Sequence, residues 1–341
     1  MSRPSESMIG NSAALARALD HLSQLAPVNR PILVLGERGT GKELAAERLH
    51  FLSTRWDAPL VKVNCAAMAE SLLESELFGH EAGAFTGATR NHQGRFERAD
   101  GGTLFLDELG TMSMRLQEKL LRLVEYGEFE RVGGQETLQV DVRVVAATNA
   151  DLRALAARGE FRHDLLDRLS FDVVHLPALR DRPEDIPELA EHFAIQMSAE
   201  LGWELFPGFD DAALQALQDF SWPGNIRELK NAVERSLYRW GDSENAVAEI
   251  VLDPFVSPFE STGPEPPAST EAPRVAAEQK QEPEPSFSEQ VARLERRLLA
   301  RALDANGHNQ RRTADALGLS YDQLRGLVRK YDLGGRRRST G

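Results

Sequence analysis

The sequence predicts an α/β protein with a parallel sheet covered by helices on both faces, then a smaller all-α region and a terminal helix-turn-helix. Short apolar runs alternate with helix-like segments through the first half of the chain, as in repeated β-α-β units. After Pro177 the helix-like segments follow one another without an apolar run between them. Towards the carboxyl end the composition becomes rich in proline and then basic, which indicates a linker followed by a separate module.

Apolar runs and helical periodicity place the individual elements. The predicted strands are residues 31–35, 60–63, 103–106, 142–147 and 173–176. The predicted helices of the α/β region are residues 11–25, 43–52, 68–77 and 114–126. Beyond Pro177 the predicted helices are residues 183–201, 210–220 and 223–240. Pro223 suits the first position of its helix, where a missing N–H costs nothing.

Charge is divided unevenly along the 341 residues, which carry 40 Lys and Arg against 53 Asp and Glu, a net charge of −13. That balance excludes a protein that coats nucleic acid non-specifically. Residues 286–341, however, hold 12 basic and 6 acidic residues, so they carry +6 while the remainder carries −19. Residues 254–285 contain eight of the 17 prolines, together with six glutamates. This composition predicts a stiff extended linker.

These shifts predict four regions: an α/β domain over residues 1–177, a helical lid over 178–252, a Pro/Glu-rich linker over 253–285 and a DNA-binding domain over 286–341. The single cysteine, Cys65, excludes an intramolecular disulfide and a cysteine-based zinc cluster. No apolar run approaches the roughly 18 residues that a membrane span needs. We therefore expect a cytoplasmic protein that does not insert into a membrane.

A glycine-rich loop between the first strand and the next helix has the spacing of a P-loop. Its residues are Gly36, Glu37, Arg38, Gly39, Thr40, Gly41 and Lys42. In such a loop the backbone N–H groups cradle phosphates and the lysine reaches the β and γ oxygens. The generic pattern has Ser or Thr after the lysine to help hold Mg²⁺, whereas this chain has Glu43. A simple glycine-rich turn is the alternative reading.

Two acids follow the strand at residues 103–106, and they complete a hydrolytic site. Asp107 at the strand end can hold Mg²⁺, and Glu108 is placed to orient and deprotonate the attacking water. Paired acids after a strand also occur by chance. After a P-loop, however, they favour ATP hydrolysis, with ATP and Mg²⁺ as the cofactors.

Two further motifs give a specific resemblance. The eight residues from Glu74 to Glu81 (ESELFGHE) are followed, after one residue, by a second run. That run is Gly83, Ala84, Phe85, Thr86, Gly87 and Ala88. With these motifs the chain resembles the σ54-dependent transcription activators, or bacterial enhancer-binding proteins, whose ATPase domain is of the AAA+ type. In that family the second run contacts σ54, and a glutamate follows the P-loop lysine. A buried turn with Phe85 in the core is the alternative.

The resemblance also implies roles for other residues. It makes Asn64 the partner of Glu108 that couples nucleotide state to the contact loop, and it places Thr148 and Asn149 at the sensor I position. The residues corresponding to the arginines that reach a neighbouring subunit are Arg162 and Arg168, and Arg227 corresponds to sensor II. An arginine that acts in the site of a neighbouring subunit requires a head-to-tail contact between subunits, and such contacts give a ring when they close. The resemblance implies that this ring is a homo-hexamer. Surface ion pairs are the alternative for Arg162 and Arg168.

The basic carboxyl region predicts helices at residues 290–304, 309–317 and 320–330, with a turn at Gly318 and Leu319. In the first, Val291, Leu294, Leu298 and Leu299 are expected on one face. The arrangement resembles the Fis-type helix-turn-helix of the same family. The DNA-binding candidates are Arg311, Arg312, Ser320, Tyr321, Asp322, Gln323, Arg325, Arg329 and Lys330. Of these, Gln323 and Arg325 suit base reading, while Arg311, Arg312, Arg329 and Lys330 suit phosphate contacts. A dimerisation bundle is the alternative.

The ATPase motifs start close to Met1, without a preceding sensory module, a layout that resembles the phage-shock activators and is shared by other single-module activators of this family. We therefore expect control by a trans-acting inhibitory protein of the PspA type or by concentration. Trp56, set among polar residues, is a candidate docking point for it, or else packs on its own subdomain.

Taken together, the expected function is remodelling of σ54-RNA polymerase from closed to open complexes by an ATPase bound at upstream enhancer DNA. A AAA+ remodeller acting on another protein and a non-catalytic DNA-binding regulator are the alternatives.

Overall fold

The computed structural model describes residues 8–255, 287–307 and 309–331, which fall in two compact units divided after Glu260. Nearly all of the predicted linker, and the basic tail at residues 336–338, lie outside the described residues. In the part of the chain that is described, no helix is both long and apolar enough to cross a membrane.

A five-stranded parallel sheet forms the centre of the first unit, in the order β2-β3-β6-β1-β7. The five strands are β1 (Ile32–Leu35), β2 (Leu60–Asn64), β3 (Thr103–Asp107), β6 (Arg143–Thr148) and β7 (Asp172–His175). All five are predicted strands, with ends that differ by at most one residue. Alternate residues of β1 enter different cores, since Leu33 belongs to one cluster while Ile32 and Val34 belong to the other. Both faces of the sheet are therefore covered, as the sequence predicts.

Helices cover the two faces of the sheet, and most of them match predicted segments. Those of the α/β region are α1 (Ala13–Leu25), α2 (Lys42–Phe51), α3 (Glu70–Phe78), α4 (Arg95–Arg98), α5 (Met114–Tyr126), α6 (Leu152–Ala157) and α7 (His163–Leu169). Helices α1 and α5 begin after Ser12 and Ser113, whose hydroxyls accept hydrogen bonds from backbone N–H groups of the first turn.

A small antiparallel hairpin, β4 (Glu128–Glu130) with β5 (Thr137–Gln139), was not predicted. Each strand has only three residues and includes two polar ones, so neither produces a recognisable apolar run. Phe129 is buried in the core against Phe78 and Phe96, and this tertiary contact holds the hairpin in place.

The lid consists of α8 (Ile186–Glu200), α9 (Asp211–Asp219) and α10 (Asn225–Trp240), packed around the fully buried Trp222. The prediction that Pro223 occupies the first position of its helix is wrong. Gly224 is the N-cap and the helix begins at Asn225, because both Trp222 (φ 48°) and Asn225 (φ 53°) have left-handed backbone. The chain therefore turns sharply here before the helix starts.

Two buried charges fix the ends of α1. At its carboxyl end, the Arg143 guanidinium donates to the carbonyls of Leu25 (2.9 Å) and Ala26 (2.6 Å), and burial lowers the pKa of Arg143 to about 10. At its amino end, the fully buried carboxylate of Asp185, from the start of the lid, accepts three hydrogen bonds from Asn11 and Ser12. The sheet and the lid are thereby both tied to this helix.

The second unit contains α11 (Phe287–Ala305), α12 (Gln310–Leu317) and α13 (Tyr321–Lys330). Its core includes Leu299, Leu303 and Leu324. Leu298, predicted to share the buried face with Leu299, is instead 54% exposed. Adjacent residues on a helix point about 100° apart, so only one of the two faces the core. The side chains of Val291 and Leu294 lie outside the described residues.

Candidate functional site

The glycine-rich loop connects β1 to α2 and brings Lys42 to the base of the helix. Gly39 (φ 80°) and Gly41 (φ 97°) have backbone conformations that favour glycine. Lys42 is almost buried, and its Nζ donates to the carbonyls of Gly36 (3.0 Å) and Glu37 (3.1 Å). Burial lowers the pKa of Lys42, while the nearby charges of the strand-end acids oppose that shift.

The two acids at the carboxyl end of β3 act electrostatically on this lysine. Burial raises the pKa of Asp107, the Glu108 carboxylate raises it further, and the charge of Lys42 opposes the rise. Glu108 has left-handed backbone (φ 52°), and its N–H donates to Asp107 Oδ1 at 2.9 Å. Its carboxylate lies 3.5 Å from the guanidinium of Arg38 in the P-loop. The charges of both acids act on Lys42, and Glu108 in addition contacts Arg38.

Asn64 ends β2, next to Asp107 in the sheet register, as expected from its position. Its partner differs from the expectation, because Asn64 Nδ2 donates to Asp107 Oδ2 (3.2 Å) and not to Glu108. The reason is geometric: parallel pairing sets Asn64 opposite Asp107, whereas Glu108 lies past the strand end and turns towards Arg38.

Asp107 provides the hard carboxylate oxygens that Mg²⁺ prefers. Glu43, which replaces the usual P-loop Ser or Thr, is 2.8 Å from Lys62 Nζ and is thus engaged in an ion pair. Within residues 8–255, 287–307 and 309–331 no group of three or more His, Cys, Asp or Glu forms a preassembled metal site. The donor set fits an ion held jointly by Asp107 and nucleotide phosphates.

The sensor candidates occupy different positions around the P-loop. Thr148 ends β6 and is buried, with its hydroxyl accepting from the Ala150 N–H (3.0 Å), whereas Asn149 is exposed. Arg227 lies in the first turn of α10, directly against the P-loop, since a Cβ on Gly39 would be 3.2 Å from Arg227 Cβ. The charge of Arg227 also contributes to the lowered pKa of Lys42.

Arg162 and Arg168 lie at the two ends of α7 and form ion pairs with neighbouring carboxylates. Arg162 contacts Asp164 at 2.8 Å, and Arg168 contacts Glu125 at 2.7 Å. Both partners are on the same chain and both pairs are partly exposed, so these arginines stand on the surface. Exposed pairs of this kind contribute little to stability.

The six-residue run between Gly83 and Ala88 forms an exposed loop. The N–H of Gly83 donates to the carbonyl of Ala88 (2.7 Å), which closes the loop at its base. Phe85 is 48% exposed and packs edge-on against His80. Phe85 is therefore not a core residue, which removes the alternative of a buried turn. Beneath the loop, Arg131 forms ion pairs with Glu81 and Glu97.

The second unit presents its predicted DNA-binding side chains to solvent. Arg311, Arg312, Arg325, Arg329 and Lys330 are exposed, as are Tyr321 and Asp322. Ser320 and Gln323 form a reciprocal cap at the start of α13, where the Ser320 N–H donates to Gln323 Oε1 at 2.9 Å. The Gln323 amide oxygen thus accepts a hydrogen bond within the cap, and its NH₂ group takes no part in that bond.

Trp56 lies in the loop after α2 and is 63% exposed, with Phe51 and Leu52 of the same region about half exposed. Most of the Trp56 side chain is therefore accessible to solvent. Three exposed apolar side chains thus fall within residues 51–56, and exposed apolar surface is typical of contact sites.

Several residues at the P-loop were not predicted to have a role there. Arg180 donates to the Glu37 carboxylate (2.9 Å), and the buried Asn225 side chain donates to the same carboxylate (3.0 Å). Arg180 and Asn225 lie 143 and 188 residues after Glu37 in the sequence. The only sequence feature that could have indicated them is the polar Asn225 near the start of α10.

A five-stranded parallel sheet with a P-loop at the carboxyl end of β1, acids at the carboxyl end of β3 and a helical lid define a AAA+ ATPase. Residues 8–175 match the family described as the Sigma-54 interaction domain. Residues 180–254 match the AAA+ ATPase lid domain, and residues 290–331 match the Fis family of bacterial regulatory proteins.

Similar proteins agree with these matches. The chain is 52% identical over 333 residues to the Psp operon transcriptional activator of Escherichia coli (strain K12), covering 98% of this chain and 100% of that protein. It is 43% identical to the Nif-specific regulatory protein of Azotobacter vinelandii, covering 93% of this chain but 57% of the relative. The crystal structure of NtrX from Brucella abortus in complex with ATP superposes with a TM-score of 0.68 at 32% identity, covering 96% of this chain and 69% of that one.

The chain belongs to the family of σ54-dependent transcription activators. It is an ATPase with a AAA+ domain and a Fis-type DNA-binding module.

Proposed function

We propose that this activator binds enhancer DNA upstream of a promoter and uses ATP hydrolysis to convert σ54-RNA polymerase from the closed to the open complex. The observation that carries the proposal is the loop at residues 83–88, which is exposed, closed at its base and supported by the Arg131 ion pairs. An exposed Phe85 is costly in water unless a partner covers it. The match to the Sigma-54 interaction domain supports σ54 as that partner.

In the proposed reaction the P-loop residues bind the phosphates of ATP. Lys42, held close to Asp107, neutralises the β and γ oxygens, and Glu108 orients and deprotonates the attacking water. Asp107 would hold Mg²⁺, which supplies charge neutralisation at the phosphates when it is bound. We assign Asn64, Thr148, Asn149 and Arg227 to sensing of the nucleotide state. Arg38 competes for Glu108, so Glu108 has to leave that ion pair before it can act on water.

The surface position of Arg162 and Arg168 supports their action in trans, in the site of a neighbouring subunit. A head-to-tail contact that repeats and closes gives a ring, here a homo-hexamer. We propose the division into an α/β domain (residues 1–177), a lid (178–252), a linker (253–285) and a DNA-binding domain (286–341). The target is proposed to be an operon of the Psp type, because of the similarity to the Escherichia coli relative. The same reaction implies a cytoplasmic location.

DNA binding is assigned to the exposed basic side chains of α12 and α13. Arg325 and the NH₂ group of Gln323 suit base edges, and the other exposed arginines and Lys330 suit phosphates. Binding should therefore weaken steeply with salt. Replacing Arg325 with alanine should relax sequence preference, whereas replacing Arg312 should weaken binding to all sequences equally.

Transcription in vitro with purified σ54-RNA polymerase, ATP and promoter DNA tests the proposal. Glu108→Ala should abolish both ATP turnover and open-complex formation, with the exposed Glu136→Ala as the matched control. Thr86→Ala should keep ATP turnover and lose open complexes, with the neighbouring exposed Thr89→Ala as its control. A Thr86→Ala protein that still activates would favour remodelling of another substrate. Wild-type protein without hydrolysis at high concentration would favour a non-catalytic regulator.

The patch around Trp56 is proposed as the docking point of a trans-acting inhibitory protein of the PspA type. Trp56→Ala should leave ATP hydrolysis unchanged and weaken inhibition, whereas Tyr238→Ala, another exposed aromatic (71% exposed), should do neither. Equal inhibition of wild type and Trp56→Ala would remove Trp56 from the interface.

A further inference from the structure

The first turn of α10 is joined to the P-loop by a set of hydrogen bonds centred on Asn225. This side chain is completely buried and bonds to two segments distant in sequence. Its Oδ1 accepts from the Leu179 N–H (2.7 Å), and its Nδ2 donates to Glu37 Oε2 (3.0 Å) and to the Arg38 carbonyl (3.0 Å). Both ends of the amide are thus used, and they connect the lid helix, the segment that leads into the lid and the P-loop.

Glu37 closes this arrangement from the other side. Its carboxylate accepts from Arg180, which directly follows Leu179, as well as from Asn225. The hydrogen bonds from Arg180 and then Asn225 lower the pKa of Glu37 to about 2, so the carboxylate stays charged at any pH at which the protein works. Glu37, Arg180, Leu179 and Asn225 therefore form a closed ring of contacts between the P-loop and the lid.

The backbones are equally close at this point. The Ile226 N–H donates to the Gly39 carbonyl (3.1 Å), and a Cβ on Gly39 would lie 2.2 Å from the Gly224 carbonyl oxygen. Arg227 is the next residue after Ile226, so its position relative to the P-loop depends on this contact. Asn225 has left-handed backbone (φ 53°), a conformation that glycine adopts most readily and that asparagine also tolerates. The contacts of its side-chain amide are what asparagine provides here and glycine would not.

We propose that Asn225 is a positioning residue for ATP hydrolysis: its carboxamide, together with Glu37, sets the register between the P-loop and the first turn of α10, and so directs Arg227 at the phosphates. The inference rests on the sensing role proposed for Arg227. Asn225 itself need not touch the nucleotide, because its amide hydrogen bonds are taken up by protein groups. An error of about 1 Å in the placement of such a group can cost a hundredfold in rate.

The test is steady-state ATP hydrolysis by the full chain at a concentration where the wild-type rate per subunit is maximal. Asn225→Gly keeps the left-handed backbone and removes only the amide. We expect it to lower kcat between roughly tenfold and a hundredfold with little change in KM for ATP. Asn245→Gly, which removes an exposed lid asparagine bonded to Asp242, is the matched control and should hydrolyse ATP normally.

A double-variant comparison separates positioning from general structural support. If Asn225 acts through Arg227, then Asn225→Gly combined with Arg227→Ala should be no slower than Arg227→Ala alone. A second variant, Asn225→Asp, keeps the shape and the bond to Leu179 but places a carboxylate against Glu37, so it should also be slow. Adding Glu37→Gln should restore part of its rate, because the glutamine NH₂ can donate to the new carboxylate.

Three results would overturn the inference. The first is ATP hydrolysis at the wild-type rate by both Asn225→Gly and Asn225→Asp. The second is a double variant in which the rate losses of Asn225→Gly and Arg227→Ala multiply, and the third is no recovery of the Asn225→Asp rate when Glu37→Gln is added. Arg227→Ala at the wild-type rate would overturn the role of Arg227 as well. The inference and the proposed function can therefore fail separately.

Discussion

Removing the carboxylate of Asp185 should destabilise the ATPase unit by a large and predictable amount. Asp185 is completely buried, and its Oδ1 accepts from the backbone N–H groups of Asn11 (2.7 Å) and Ser12 (2.8 Å). Its Oδ2 accepts from the Ser12 hydroxyl (2.7 Å) and lies 3.8 Å from Arg182 Nη1. Two other guanidinium nitrogens of Arg182, which is 1% exposed, have no hydrogen-bond partner among the described residues. The carboxylate is thus the counter-charge of a buried cation.

The magnitude follows from which of these contacts each substitution removes. Asp185→Asn keeps an acceptor at Oδ1 for both backbone N–H groups and loses mainly the charge opposite Arg182. Asp185→Ala loses every contact, including hydrogen bonds worth about 1.5–3 kcal/mol each to a charged acceptor. Breaking a buried pair costs roughly 3–5 kcal/mol. Because these contributions overlap, we expect losses of about 3 kcal/mol for Asp185→Asn and about 5 kcal/mol for Asp185→Ala.

Urea unfolding followed by tryptophan fluorescence measures these losses, since all four tryptophans lie within residues 1–260. Adding Arg182→Met to Asp185→Asn should recover part of the stability, because it removes the unpaired buried cation. A loss below about 1 kcal/mol for Asp185→Asn, or a further loss when Arg182→Met is added to Asp185→Asn, would show that this carboxylate is not the counter-charge of Arg182.

Three further outcomes are expected. Gly39→Ala should lower ATP turnover and stability, because its Cβ would lie 2.2 Å from the Gly224 carbonyl oxygen, whereas Gly159→Ala, with a similar positive φ and open space, should cost only about 1–2 kcal/mol. Burial raises the pKa of Cys65 to about 12, so alkylation of the native thiol at pH 8 should be at least a hundredfold slower than after unfolding, as mass spectrometry would show. The thiol pKa is higher in the folded state, so the free energy of unfolding should keep its full value below pH 9 and should fall above pH 9 by up to roughly 1.4 kcal/mol per pH unit. Cys65→Ala should make this pH dependence flatter. Leu324→Ala should destabilise the carboxyl-terminal unit by about 2–5 kcal/mol in differential scanning calorimetry and reduce DNA binding, while Leu298→Ala, at an exposed position, should change neither.

The order of strands and helices was predictable because it depends on local pattern. Apolar runs such as 103–106 and 142–147 fill both faces of a buried sheet, and helices such as α5 bury one stripe at helical spacing. The hairpin β4–β5 and the exposure of Leu298 were not predicted. In both cases packing against the rest of the unit decides the outcome, and a short window of sequence does not contain that information.

The candidate site divides in the same way. The P-loop residues and the Asp107–Glu108 pair lie in contiguous segments with the spacing that the chemistry requires, so they can be identified from the sequence. Which carboxylate Asn64 contacts was decided by the register between β2 and β3, and it is Asp107. Register is a property of the assembled sheet, since the pairing partners are 43 residues apart.

Glycine spacing, strand-end acids and net charge lie in consecutive residues, so a P-loop ATPase with a basic helical module is predictable from the amino-acid sequence. How the ATPase is held together depends on the packed fold. Asp185 against Ser12, and Asn225 against Glu37, join groups 173 and 188 residues apart. A buried polar group needs a partner wherever the fold places one, so its contacts are fixed by the packed structure and have no local signature.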